Sequence, residues 1–156
     1  MLAVLAAPAC LAGCSPDPAP AVALVEISQF QTQVLGARGP ILVQFYKNPC
    51  PTCVVQEEVL RELAGQYAGR VSFARYQIAD AMWNDTTGGI KQRYRLNWVP
   101  TTILFVNGQE KERWELNHLA GDFRPALDMA LLSQRRDVDN HAGRPTIAPR
   151  DTTRIP

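Results

Sequence analysis

The tetrapeptide Cys50-Pro51-Thr52-Cys53 is the part of this sequence best suited to covalent chemistry. Two thiols separated by two residues suit a disulfide that opens and closes reversibly, and the pair stands where a compact apolar run gives way to helical spacing. A cysteine at the start of a helix faces unpaired backbone N–H groups and the positive end of the helix dipole, which favours the thiolate. Pro51 is tolerated at the first helical position because no N–H is needed there. Cys50 is therefore predicted to be the attacking thiolate and Cys53 the buried resolving thiol. Attack on a disulfide would leave a mixed disulfide on Cys50, and Cys53 would then displace the partner and close the internal bond. A zinc site needs two further ligands. The domain offers only His118, with no second Cys-x-x-Cys and no His pair, and His141 stands alone near the C-terminus. No metal is expected, and no cofactor other than the redox-active disulfide. The bland alternative is a pair of inert core cysteines.

The elements that must position this pair follow from periodicity. Residues 22–27 form a short strand candidate, and Ser28 can cap a helix over 29–35. Gly36, Gly39 and Pro40 break the chain before Ile41-Leu42-Val43-Gln44-Phe45-Tyr46, a run of the kind buried on both faces of a sheet. After Cys50, the residues Val55, Val59, Leu60, Leu63 and Tyr67 fall at helical spacing. Residues 71–78 alternate like a strand, 91–94 suit a short helix, and 101–106 form another apolar strand. Asn107-Gly108 is a hairpin signal leading into a strand over 111–116, and a helix over 123–132 closes the domain. The order β-α-β-α-β-α-β-β-α predicts an α/β fold, a mixed sheet with helices on both faces.

A chain of 156 residues, 46% hydrophobic and 20% charged, suffices for one ordinary domain with its own core. A net charge of +1 leaves no strong field to attract nucleic acid. No apolar run reaches the roughly 18 residues that suggest a spanning helix. Residues 1–13 are apolar and uncharged and read as a secretory signal, although they lack a Lys or Arg n-region. Their end, with the next residue, spells Leu11-Ala12-Gly13-Cys14, which resembles a bacterial lipobox. That resemblance implies cleavage before Cys14, acylation of Cys14 and attachment to the periplasmic face of a bacterial membrane. Acyl chains partition at about 0.8 kcal/mol per buried CH₂, so two or more give a stable anchor. A soluble periplasmic or secreted protein is the alternative. The Pro-rich stretch 14–21 would serve as a semi-rigid tether, 22–133 as the domain, and 134–156, rich in Arg, Asp and Pro, as a disordered tail.

The stretch from Phe30 to Cys53, with Trp98-Val99-Pro100-Thr101 and Phe105-Val106-Asn107-Gly108, resembles the thioredoxin family across nearly the whole globular part. The resemblance implies the thioredoxin fold and thiol–disulfide exchange with protein thiols and disulfides. A monomer is expected, and a reductase outside the cytoplasm would need a membrane electron donor. It also implies a cis Val99–Pro100 bond beside the disulfide, with the Val99 backbone pairing with a substrate strand and Trp98 and Thr101 flanking it. Several positions depart from the family pattern. Pro49 replaces the usual Trp, and Pro51-Thr52 replaces Gly-Pro. The buried acid of the central strand aligns with Gln44, which cannot act as a base near neutral pH. Arg75 matches the family's nearby lysine, so a cation stands without its acid. The mid-helix proline is missing near Glu57-Glu58, and the Gly after the hairpin is replaced around Leu116. These departures keep open a disulfide-donating oxidase and a non-catalytic binding module.

Overall fold

In the computed structural model of the chain, the described residues are 23–24 and 29–142, with side chains described over 29–136. Cys14, the lipobox-like motif and the 14–21 tether lie outside them. The strands are β1 (Ala23–Leu24), β2 (Pro40–Lys47), β3 (Ser72–Ala79), β4 (Thr101–Val106) and β5 (Gln109–Glu115). The helices are α1 (Pro51–Gln66), α2 (Ile90–Arg93) and α3 (Ala120–Ala142), and a π-helix (Phe30–Leu35) stands where an α-helix was expected. The five strands form one mixed sheet in the order β1-β3-β2-β4-β5. β2 runs parallel to β3 and antiparallel to β4, and β4 is antiparallel to β5.

Alternation along the strands sends side chains to opposite faces and builds two cores. Ile41, Val43 and Phe45 join Phe30, Tyr76 and Phe105 on one face. Leu42, Phe73 and Leu104 pack on the other against Leu60 and Leu63 of α1 and Phe123 and Leu127 of α3. Phe30 is fully buried, with its ring centroid 4.8 Å from that of Tyr76, so the π-helix closes the first face. Trp114 packs on Phe123, with centroids 4.7 Å apart, and belongs to the second core. Asn107 and Gly108 both have positive φ, 52° and 76°, as the tight hairpin requires.

The last helix differs from expectation. Apolar periodicity ends it at Leu132, but α3 runs to Ala142, so the tail expected from 134 onwards begins as helix. No Gly or Pro occurs between Leu132 and Gly143, and Gln134, Arg135 and Arg136 are good helix formers.

The polar loop between β3 and α2 is held by two carboxylates. Asp80 accepts from the backbone N–H groups of Met82 and Asn84 and from the Asn84 side chain, at 2.8–2.9 Å. The Asn84 side-chain and backbone bonds hold the Asp80 carboxyl below its ordinary value of 3.8. Burial opposes ionisation of Asp85, but hydrogen bonds from the Thr87 hydroxyl and N–H, the Gln92 side chain and the Gly89 N–H together outweigh it and lower that carboxyl too. Trp83 sits in this loop between Lys47 and Lys91, whose ammonium groups lie 5.9 and 4.8 Å from its ring centroid. A folded-state pKa below the unfolded one contributes stability above the unfolded value and loses it as pH falls through the folded one. We therefore expect amide protection across residues 80–89, measured against the intrinsic exchange rate at each pH, to fall below pH about 4, ahead of global unfolding. Asp85→Asn should weaken that acid response, and an unchanged response would show that Asp85 does not hold the loop.

Candidate functional site

The site begins where β2 ends. Its buried strand leads through a cis Asn48–Pro49 bond to Cys50, which caps α1 with extended backbone. Pro51 occupies the first turn, as expected of a residue without an N–H. Cys50 and Cys53 are joined as a disulfide. The Cys50 sulfur accepts from the Cys53 N–H at 3.2 Å and lies 3.5 Å from the Thr52 hydroxyl. When Cys50 is reduced, the same donor and the helix end would stabilise its thiolate. Cys50 is half-buried, Pro51 and Thr52 are exposed, and Cys53 is 1% exposed, an asymmetry that fits an attacking and a resolving sulfur.

Hydrogen bonds tie the start of α1 to its neighbours. The Gln44 amide, fully buried on β2, donates to the Cys53 carbonyl at 2.8 Å. Gln56 accepts from the His118 N–H at 2.7 Å and donates to the His118 carbonyl at 3.3 Å. The Asn117 side chain donates to the Thr52 carbonyl at 2.8 Å, and the Leu116 N–H donates to the Pro100 carbonyl at 2.8 Å. The segment after β5 therefore bridges the disulfide loop and Pro100.

Val99–Pro100 is cis, as the resemblance implied. Pro100 is buried and Val99 half-buried. Among the described residues, no backbone group bonds the Val99 N–H or carbonyl. The Thr101 hydroxyl donates to the Trp98 carbonyl at 2.7 Å, which makes buried Thr101 a support for the turn. Trp98 is 58% exposed. Among the described residues, no group of three or more potential metal ligands occurs.

One expectation is corrected. Arg75 does not stand without an acid: its guanidinium donates to Glu57 at 2.7 Å, and Glu57 also takes Arg61 at 2.5 Å. Glu57 is buried on α1, on the face turned to the sheet. Sequence reasoning noted this position only for its missing proline. The signal was the interval of four from Cys53, which puts both residues on one helix face.

A family model described as Thioredoxin matches residues 21–125, and with it the fold and the site agree: the chain belongs to the thioredoxin family. It is similar to a thioredoxin of Acidithiobacillus ferridurans, 30% identical over 89 residues, covering 57% of this chain and 77% of that one. A thioredoxin of Thiocapsa roseopersicina is 33% identical over 75 residues, 48% of this chain and 76% of that one. Thioredoxin M5 of Oryza sativa subsp. japonica, a chloroplast protein, is 29% identical over 91 residues. That match covers 58% of this chain and 49% of the rice protein, so the chain spans about half the length of this relative.

Leu116 carries φ 65° where the family's glycine would stand. The left-handed region costs a residue with a Cβ roughly 1–2 kcal/mol, part of which the greater chain entropy of an unfolded glycine offsets. Its side chain is 53% exposed and contributes little packing. Leu116→Gly should therefore raise unfolding stability by up to about 1 kcal/mol in urea titrations, and a loss would mean that the backbone here is not strained.

Proposed function

We propose that the protein is a thiol–disulfide oxidoreductase that reduces disulfides in client proteins, held by lipid at Cys14 outside the bacterial cytoplasm. The observation that carries this reading is the half-buried Cys50 sulfur at the start of α1, with Cys53 buried beneath it. In the reduced protein the Cys50 thiolate attacks a client disulfide and expels one client sulfur as thiolate. The client stays linked through a mixed disulfide. Cys53 then loses its proton and attacks the Cys50 sulfur. The second client sulfur leaves with the electron pair, and the Cys50–Cys53 bond closes. Two electrons pass to the client, and a membrane donor of reducing equivalents would restore the dithiol.

The free N–H and carbonyl of Val99 suit pairing with an extended client segment as an added strand, beside exposed Trp98. Thr101 supports that edge through the Trp98 carbonyl. Pro51 and Thr52 face solvent and leave the Cys50 sulfur approachable from that side. Support for the location is the Leu11-Ala12-Gly13-Cys14 motif followed by the Pro-rich stretch. No helix among the described residues is long and apolar enough to cross a membrane.

Cys50→Ser and Cys53→Ser should each abolish turnover in a protein-disulfide reduction assay, with Cys53→Ser accumulating mixed disulfide on Cys50. Turnover unchanged by either substitution would refute the mechanism. In the bacterial cell, Cys14→Ser should move the protein from the membrane to the soluble fraction, and continued membrane retention would reject the lipid anchor.

A further inference from the structure

Beneath the first turn of α1 the sheet carries a polar row. Gln44 of β2 pairs in register with Arg75 of β3 on one side and Thr102 of β4 on the other. All three point to the α1 face, where Leu42, Phe73 and Leu104 lie two residues away along the same strands. Gln44 Oε1, Arg75 Nε and Thr102 Oγ1 are buried without a hydrogen-bond partner. Above this row lie Cys53 and, one helical turn further, Glu57, both buried. Side chains at that interval have Cβ atoms about 5–6 Å apart. Glu57 therefore stands one turn from Cys53 on the same buried face of α1, in surroundings that screen a charge poorly.

Both Glu57 oxygens are engaged, Oε1 by Arg61 and Oε2 by Arg75. Arg75 is held in turn over the Tyr46 ring, 4.3 Å from its centroid. The charged groups facing this region are Glu57 from α1 and Arg75 from β3, with Arg61 of α1 reaching Glu57 from its solvent side and Glu58 exposed beside it. β2 contributes neutral Gln44 and Tyr46, and β4 contributes Thr102. On the far side of α1, His118 meets Gln56 only through its backbone.

We propose that Glu57 is a positioning residue for the second half of the exchange. It fixes Arg75 against the sheet and offsets its charge, and so holds Cys53 as a thiol until the mixed disulfide has formed. A carboxylate near a thiol disfavours the thiolate and a guanidinium favours it, so Glu57 and Arg75 act on Cys53 in opposite senses. This inference rests on the dithiol reading above. The step itself balances: the Cys53 proton passes to solvent, the Cys53 thiolate attacks the Cys50 sulfur, and the displaced thiolate carries off the electron pair.

The test uses the reduced full chain and 5,5′-dithiobis(2-nitrobenzoate), a coloured aromatic disulfide. Attack by Cys50 releases the first equivalent of nitrothiobenzoate, and resolution by Cys53 releases the second. The rate of the second release is followed against pH. Glu57→Gln should move its midpoint down by about one pH unit, with resolution about tenfold faster below the midpoint. Arg75→Gln should move it up, and the double variant should return it towards the parent. A midpoint unchanged in Glu57→Gln, with only thermal stability reduced, would overturn the proposal. A midpoint moved up with slower resolution would also overturn it, since Glu57 would then be taking the Cys53 proton itself. If Glu57→Gln does not fold, the upward shift in Arg75→Gln carries the test, and its absence counts against the proposal. Should the parent protein release only the first equivalent, the dithiol reading fails, a result separate from any shift among variants.

Discussion

The placement of the start of α1 governs this site. Cys50 caps the helix and Cys53 lies in its first turn, which supplies the N–H that meets the Cys50 sulfur. Gln44 fixes its inner side by donating to the Cys53 carbonyl, and Gln56 fixes its outer side through both backbone groups of His118. Asn117 secures the loop between the cysteines. Leaving a buried carbonyl such as that of Cys53 unpaired costs about 1–3 kcal/mol, and the part-buried and exposed bonds add to the same placement of the disulfide. The two cores on either side of the sheet serve that placement. Leu60 and Leu63 seat the helix on one face, and the aromatic cluster around Phe30 and Phe45 holds the central strand from the other.

Arg75, Glu57 and Arg61 form the electrostatic counterpart of this arrangement. A buried carboxylate between two guanidinium groups leaves one net positive charge near the sheet, partly exposed through Arg75 and Arg61. Burying an ion pair is not by itself stabilising, because desolvation opposes the Coulomb attraction. Its consequence here is local: the charge balance beside Cys53 is set by residues from α1 and β3, while the strand position of the family's acid carries a neutral amide. Gln44 keeps a structural bond to the helix there and contributes no titratable group.

Much of this was legible in the sequence. Val43 and Phe45 alternate with Leu42 and Gln44 within an apolar run, which identified β2 as a central strand, and Asn107-Gly108 located the hairpin. Cys50 and Cys53 announced themselves by spacing and by the strand–helix junction. The cis Val99–Pro100 bond came from family resemblance, since no local pattern distinguishes it. Three features were not legible. The π-helix depends on how Phe30 and Val34 seat against the sheet, whereas the periodicity of 29–35 suits an ordinary helix equally well. The extension of α3 past Leu132 follows from helix propensity without an apolar stripe, which periodicity overlooks. The role of Glu57 depends on a tertiary partner on β3, and a Glu in a helix of charged residues reads as a solvated face until its burial is known.

The central claim, that Cys50 and Cys53 form a redox couple poised for reduction of client disulfides, is tested most directly by the reduction potential of the pair. The measurement is equilibration of the purified protein against a dithiol buffer. The account predicts a reversible two-electron couple near the thioredoxin value, about −270 mV. A value near −120 mV would make the protein a disulfide donor and contradict the proposed direction. A pair that fails to equilibrate at all would contradict the redox reading itself.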